Sequence, residues 1–208
     1  MSETRVLITG ITGQAGSYLA EQYLAKGYKV YGLIRRTATE NTQNIKHILN
    51  DIEVIEGDLT DSPLIHNTIR LIKPDRLLNT AAQSHVGYSF NNPRNTIDVN
   101  TAGVVNLLEA IRLYANKARL LQYSTSELYG GVYDAPCNET TPFCPHSPYA
   151  ISKLAAHWLV INYRESYKLW ACCAIFFNYE SPRRGLNFVT RKATRAAAEI
   201  KLGIRDKV

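Results

Sequence analysis

Six short strand-like runs, spaced by helical stretches, restrict what this chain can fold into. The runs lie at residues 5–9, 29–35, 52–58, 75–82, 118–126 and 170–178. Between them, residues 16–27, 62–73, 95–115 and 147–167 carry helical spacing, with a glycine stop after the first and a proline in the first turn of the second. Runs such as "RVLIT", "RLLN" and "WACCAIFF" are apolar without alternation. A strand of that kind is buried on both faces, and alternation with helices makes its sheet parallel and covered on both sides. The spacing therefore predicts an α/β fold, a doubly wound parallel sheet with helices on both faces. The stretch 187–208 reads as one more helix, then a glycine and a charged tail.

Composition narrows the function. The 208 residues are 45% hydrophobic and 20% charged, ordinary for a folded domain. The net charge of +6 comes without any basic run longer than two, only pairs such as Arg35-Arg36 and Arg183-Arg184. An anionic small molecule suits that pattern better than a nucleic acid. Cys137, Cys144, Cys172 and Cys173 give no metal spacing and read as thiols of a reducing compartment. No run is long enough to span a membrane, and "MSETRVLITG" lacks the regions of a signal peptide. A cytoplasmic location is expected.

The loop after the first strand, "GITGQAG", places glycines at 10, 13 and 16, with Thr12, Gln14 and Ala15 between them. Alone it could be a glycine-rich turn. At the first strand-to-helix corner of an alternating chain, glycines let the backbone approach a pyrophosphate at the helix N-terminus. This is the Rossmann-type arrangement. The second strand ends in Arg35 and Arg36 rather than in an acid. A guanidinium fork grips a ribose 2′-phosphate, so NADP is expected over NAD. Asp58 and Leu59 follow the third strand, where an adenine would lie, although an aspartate there is more often a turn or cap residue. The loop after the fourth strand holds Thr80, Ala81, Ala82, Gln83 and Ser84, and its two alanines would let the backbone come close to a ribose or nicotinamide.

The fifth strand ends "YSTSELYG", exposing Ser124, Thr125, Ser126 and Glu127 where the ligand crevice of a parallel sheet lies. The next helix opens "SPYAISK", with Tyr149 and Lys153 one turn apart. That spacing is common in amphipathic helices. Beside a cofactor it has chemical meaning: a phenol titrates at about 10, and a nearby ammonium favours the phenolate. Thr125 can hydrogen-bond the substrate oxygen being deprotonated.

Together "LITGITGQAGSYLAE", "GLIRRT", "GDLTDS", "AAQSHV", "YSTSELYG", "SPYAISKLAAHW", "NYRES" and "SPRRGLNFVTRK" resemble the extended short-chain dehydrogenase/reductases. The resemblance is closer still to their GDP-mannose 4,6-dehydratase family and covers essentially the whole chain. It implies an internal redox cycle on a nucleotide sugar. Tyr149 would take the 4-hydroxyl proton as hydride passes from C4 to NADP, and Glu127 would take the C5 proton as water leaves C6. Hydride would then return to C6, giving a 4-keto-6-deoxy sugar. Thr125, Glu127, Tyr149 and Lys153 would form the catalytic set. Ser84, Ser126 and Asn178 would line the sugar side together with Thr125 and Glu127. Tyr179 and Arg184 would approach the nicotinamide, and Arg35, Thr37 and Ala38 the 2′-phosphate loop, which in the family reaches a neighbouring subunit. A homo-oligomer is therefore expected.

Several positions depart from the family pattern. Ala15 stands where aspartate is usual, Tyr179 for histidine, Asn95 for tyrosine and Thr80 for leucine. Family members also continue well beyond "TRKATRAAAEIKLG". Residues 1–180 are therefore expected to form the NADP-binding domain, and 181–208 only the start of a substrate-binding region that is largely absent. Three alternatives stay open. They are a nucleotide-sugar epimerase or reductase, a GDP-heptose dehydratase, and an NADP-binding domain without activity.

Overall fold

A computed structural model of the chain describes residues 3–38, 41–131 and 136–207. Among them, strands β1 (Arg5–Thr9), β2 (Lys29–Ile34), β3 (Glu53–Glu56), β4 (Arg76–Asn79), β5 (Arg119–Tyr123) and β6 (Trp170–Ala174) form one sheet in the order β3-β2-β1-β4-β5-β6. Every neighbouring pair is parallel, so all six carboxyl ends share one edge. The order reverses between β1 and β4, and the crossovers on either side leave a crevice there. The expected doubly wound α/β fold is present.

The sheet is buried on both faces by alternation within its strands. On β1, Leu7 packs with Leu77 and Leu120 in a core cluster that includes Ile65, Ile69, Leu107 and Ile111. Val6 and Ile8 point the other way, into a cluster with Val30, Leu78 and Ala20 of helix α1 (Gln14–Ala25). Helix α2 (Ser62–Ile72) is started by Asp61, whose carboxylate accepts the Leu64 amide at 3.0 Å, and it ends at Lys73 in a left-handed conformation. Its buried stripe of Ile65, Ile69 and Ile72 packs against α5 (Gly103–Tyr114).

Two expectations change. The helix read over 95–115 is instead α4 (Pro93–Ile97), a π-helical turn (Asp98–Ala102) and α5, one continuous path with a bulge. At the bulge the buried Asn100 side chain is tied to the Gln83 backbone and to Ser152. That satisfaction of polar groups outweighs regular helical bonding. The strands read to 82, 126 and 178 stop at Asn79, Tyr123 and Ala174, because their last residues peel away into crevice loops. The periodicity also gave no sign of the short helix α3 (Val86–Asn91) or of the 3-10 turns at Lys46–Asp51 and Ser126–Tyr129.

The chain divides into two compact units, Met1–Phe177 and Asn178–Val208. The first ends with β6, which follows the long helix α6 (Pro148–Tyr167). In the second, helix α7 (Val189–Lys201) carries an Arg195–Glu199 ion pair at 2.6 Å. The Arg184 guanidinium lies 3.8 Å from the centre of the Phe188 ring and pairs with Glu180 at 3.4 Å.

The first unit leans on the contact between α2 and α5. Ile69, fully buried at its centre, is expected to cost about 2–5 kcal/mol when truncated to alanine. Urea denaturation followed by circular dichroism measures this directly.

Candidate active site

The carboxyl ends of β1, β4 and β5 meet at the crevice, and the glycine turn closes it from one side. Gly10 directly follows β1 with φ +67°, and its amide donates to the Leu33 carbonyl at 3.1 Å. A Cβ on Gly10 would stand 2.9 Å from the Ala81 backbone, and one on Gly16 would overlap the Gly10 carbonyl. Only a chain without side chains at these positions brings α1, β1 and the loop after β4 so close. Gly13 caps α1 without a side chain, and the first turn carries no acid. The amide groups and dipole of that N-terminus suit a phosphate. Thr12 is gripped from the segment after β2: Asn44 donates to its carbonyl at 2.9 Å and Asn41 to its hydroxyl at 3.3 Å. Gln14 and Ala15 open α1, half-buried.

Arg35, Arg36, Thr37 and Ala38 leave the end of β2 as exposed residues. Asp58 closes a turn, accepting the Thr60 amide at 2.9 Å and hydroxyl at 2.8 Å. Leu59 is core, with Gly103 packed on its side chain and Asn106 donating to its carbonyl. The loop after β4 is anchored rather than loose. Thr80 donates its hydroxyl to the Thr9 carbonyl at 2.7 Å. Gln83 exchanges two backbone hydrogen bonds with the Asn100 side chain, and its own amide reaches Thr96. Ala81 and Ala82 present half-buried backbone between these anchors, and Ser84 is exposed.

Helix α6 starts at the same edge. Ser147 caps it by accepting the Ala150 amide at 3.0 Å, and Pro148 opens its first turn. Tyr149 and Lys153 follow on one buried face, 8% and 4% exposed. The Lys153 ammonium donates to the Tyr123 carbonyl at the end of β5. Burial pulls its titration down from 10.5 to about 8. Next to that strand end, Thr125 caps the 3-10 turn with its hydroxyl oxygen accepting the Glu127 amide at 3.2 Å. Ser126 donates its amide to Phe176, and Glu127 stands exposed in the first turn. One helical turn beyond Lys153, the buried His157 ring meets Ser124 at 3.2 Å, and burial lowers its titration.

The predicted residues of the first unit thus gather along one sheet edge, apart from Leu59, whose side chain is core. Asn178, Tyr179 and Arg184 belong to the second unit. Sequence reasoning passed over Asn44, Asn79, Asn100, Gln122 and Ser152. Asn79 and Gln122 did leave a signal, since each is a polar residue closing an otherwise apolar strand run, "RLLN" and "LLQ". The structure's groove between β3 and α2, lined by Tyr31, Val54, Leu64 and Leu71, contains none of the site candidates.

A parallel sheet of this order, a glycine turn at its switch point and a Tyr-x-x-x-Lys helix beside the fifth strand define an extended short-chain dehydrogenase/reductase. The family model described as GDP-mannose 4,6 dehydratase matches residues 7–208, and the chain belongs to that family. It is 52% identical to the GDP-mannose 4,6-dehydratase of Yersinia enterocolitica, covering 97% of this chain and 57% of that protein. Against GDP-mannose 4,6 dehydratase 2 of Arabidopsis thaliana it is 51% identical, with the same two shares, 97% and 57%. The chain thus spans little more than half the length of these relatives. Among solved structures, the Thermus thermophilus UDP-glucose 4-epimerase complex with NAD superposes with a TM-score of 0.85 at 32% identity, over 97% of this chain and 64% of that one. The Bacillus anthracis dTDP-glucose 4,6-dehydratase, in complex with NAD, gives 0.84 at 26%, over 94% and 62%.

Burying the Lys153 ammonium costs stability, and the sign follows from linkage. Between about pH 8 and 10.5 the unfolded chain holds the lysine proton more tightly than the folded one, so stability gains with pH across that window. Lys153→Met is expected to be more stable than the parent by about 1–3 kcal/mol at pH 7. The advantage should shrink as pH rises from 8 to 10, which paired chemical denaturation series will measure.

Proposed function

We propose that this chain is the dinucleotide-binding part of a nucleotide-sugar 4,6-dehydratase that converts GDP-mannose to GDP-4-keto-6-deoxymannose with NADP as its resident cofactor. One juxtaposition carries the reading. Tyr149 and Lys153 lie on the buried face of α6, Lys153 reaches the carbonyl at the end of β5, and the turn after that strand carries Thr125 and Glu127, at the sheet edge closed by the glycine turn. The fit to a dinucleotide rests on the close approach of the Gly10 turn, the first turn of α1 and the Ala81 backbone, which a Cβ on Gly10 or Gly16 would block. Arg35 and Arg36, with no acid beside them at the end of β2, favour a 2′-phosphate. Held there, the nicotinamide would take hydride from sugar C4 and return it at C6.

The chain's own groups do the proton work. Lys153, as an ammonium, favours the Tyr149 phenolate, which accepts the 4-hydroxyl proton. The Thr125 oxygen already accepts the Glu127 amide, so its own proton is available for the sugar 4-oxygen. The C4 carbonyl acidifies the C5 proton. Glu127 removes that proton and passes it to the C6 hydroxyl, which departs as water, and the proton that Tyr149 took is given back, through solvent, to C5 when hydride arrives at C6. A base at this position distinguishes a dehydratase from an epimerase, which needs only the tyrosine and lysine. We assign Ser84, Ser126 and Asn178 to the sugar side, Tyr179 and Arg184 to the nicotinamide end, residues 1–180 to the NADP-binding domain and residues 181–208 to the beginning of the substrate region. We also infer a cytoplasmic homo-oligomer. Among the described residues no helix is long and apolar enough to cross a membrane.

The test incubates the purified chain with GDP-mannose and NADP and follows the loss of water by mass spectrometry. Turnover should fall at least about 100-fold in Tyr149→Phe. Glu127→Gln should retain C4 oxidation, seen as absorbance of the reduced cofactor, without losing water. An Arg35→Ala/Arg36→Ala variant should lose about tenfold in NADP affinity, or about 1.4 kcal/mol, with little change for NAD. A chain that binds NADP but leaves GDP-mannose untouched is a dinucleotide-binding module, and the dehydratase reading of it fails.

A further inference from the structure

Three polar side chains run in register across the strands beneath the glycine turn. Thr9 pairs with Asn79 across β1 and β4, and Asn79 with Gln122 across β4 and β5. All are buried, at 0%, 0% and 1% exposure. Each donates to the next: the Thr9 hydroxyl to Asn79 Oδ1 at 2.5 Å, Asn79 Nδ2 to Gln122 Oε1 at 2.7 Å, and Gln122 Nε2 to the Tyr123 carbonyl at 2.9 Å. Tyr123 lies one residue past the last pair of the β4–β5 ladder. Its carbonyl is the same one that receives the Lys153 ammonium.

Buried amides are costly unless fully satisfied, and matched apolar residues at these positions would serve the core as well. What distinguishes the row is where it ends. At one end Thr9 receives the Ala81 amide at 3.4 Å, and its carbonyl receives the Thr80 hydroxyl. At the other end the row fixes the acceptor of a buried ammonium. We propose that Gln122 is a positioning residue for Lys153, setting through the Tyr123 carbonyl where the ammonium stands beside Tyr149. This rests on the reading of Tyr149 and Lys153 given above. Cys173 of β6 also faces the ammonium but is a neutral thiol, pushed up to about 12 by burial. The amide of Gln122 is therefore the group through which the sheet side addresses Lys153.

The test is an NMR titration of labelled lysine side chains, with the Lys153 signal assigned by its disappearance in Lys153→Met, alongside NADPH affinity from fluorescence. Gln122→Leu should move the Lys153 midpoint by about half a pH unit or more and weaken NADPH about tenfold. Asn79→Leu/Gln122→Leu leaves no orphaned amide in the core and should show the same two changes in a protein that still melts cooperatively. Gln122→Glu supplies the discriminating readout. Its protonated acid accepts from Asn79 and donates to Tyr123 as the amide does, whereas its carboxylate cannot donate. NADPH affinity in this variant should match the parent at low pH and Gln122→Leu above the carboxyl titration. An unmoved Lys153 midpoint and unchanged affinity in the folded double variant overturn the proposal, as does a Gln122→Glu variant with no such switch. If the parent chain binds no NADPH, the cofactor reading falls, and the Lys153 midpoint alone still decides the role of Gln122.

Discussion

The close approach of Gly10 to Ala81 is the constraint on which the crevice depends. At the point where strand order reverses, β1 and β4 send their chains to opposite faces of the sheet. The two loops can meet over the strand ends only if Gly10 carries no side chain into the gap. Gly16 extends the same condition to helix α1, whose first turn lies on the Gly10 carbonyl. A bare helix N-terminus thereby faces a strip of backbone, which is the shape and the polarity that a pyrophosphate needs.

Around this gap the protein accepts costs that a purely structural core would avoid. Lys153 is buried with its charge held by a backbone carbonyl, and its titration drops to about 8. His157 is buried against Ser124, and the row from Thr9 to Gln122 places polar side chains across the carboxyl ends of three strands. Burial of unpaired polar groups is destabilising, so each is tied into a chain of partners. The remainder of the first unit is ordinary by comparison: aliphatic side chains alternate between the two faces of the sheet, and helix α2 lies on α5.

Much of this was legible from residue order. Unbroken apolar runs and helical periodicity located all six strands and the major helices, because an apolar strand buried on both faces looks the same in any fold of this class. The glycine spacing, Arg35 with Arg36, and the pair of Tyr149 and Lys153 were equally visible, since each is a local pattern. The bulge at Asp98–Ala102 was not, because helical spacing continues through it and its cause lies in Gln83 and Ser152, far along the chain. Leu59 looked like a ligand-facing residue by its place after a strand, yet Gly103 and Asn106 on a later helix hold it in the core.

Residue order by itself determined the alternating architecture, the glycine cradle and the chemical types at the site, because those depend on spacing within a few residues. It also carried the family, through motifs spread over the chain. Only the tertiary structure decided which carbonyl holds the Lys153 ammonium and which side chains stand behind that carbonyl. Thr9, Asn79 and Gln122 are separated by 70 and 43 residues and become neighbours through the register of β1, β4 and β5. That register joins strands far apart in the sequence, so the three residues meet only once the sheet has assembled.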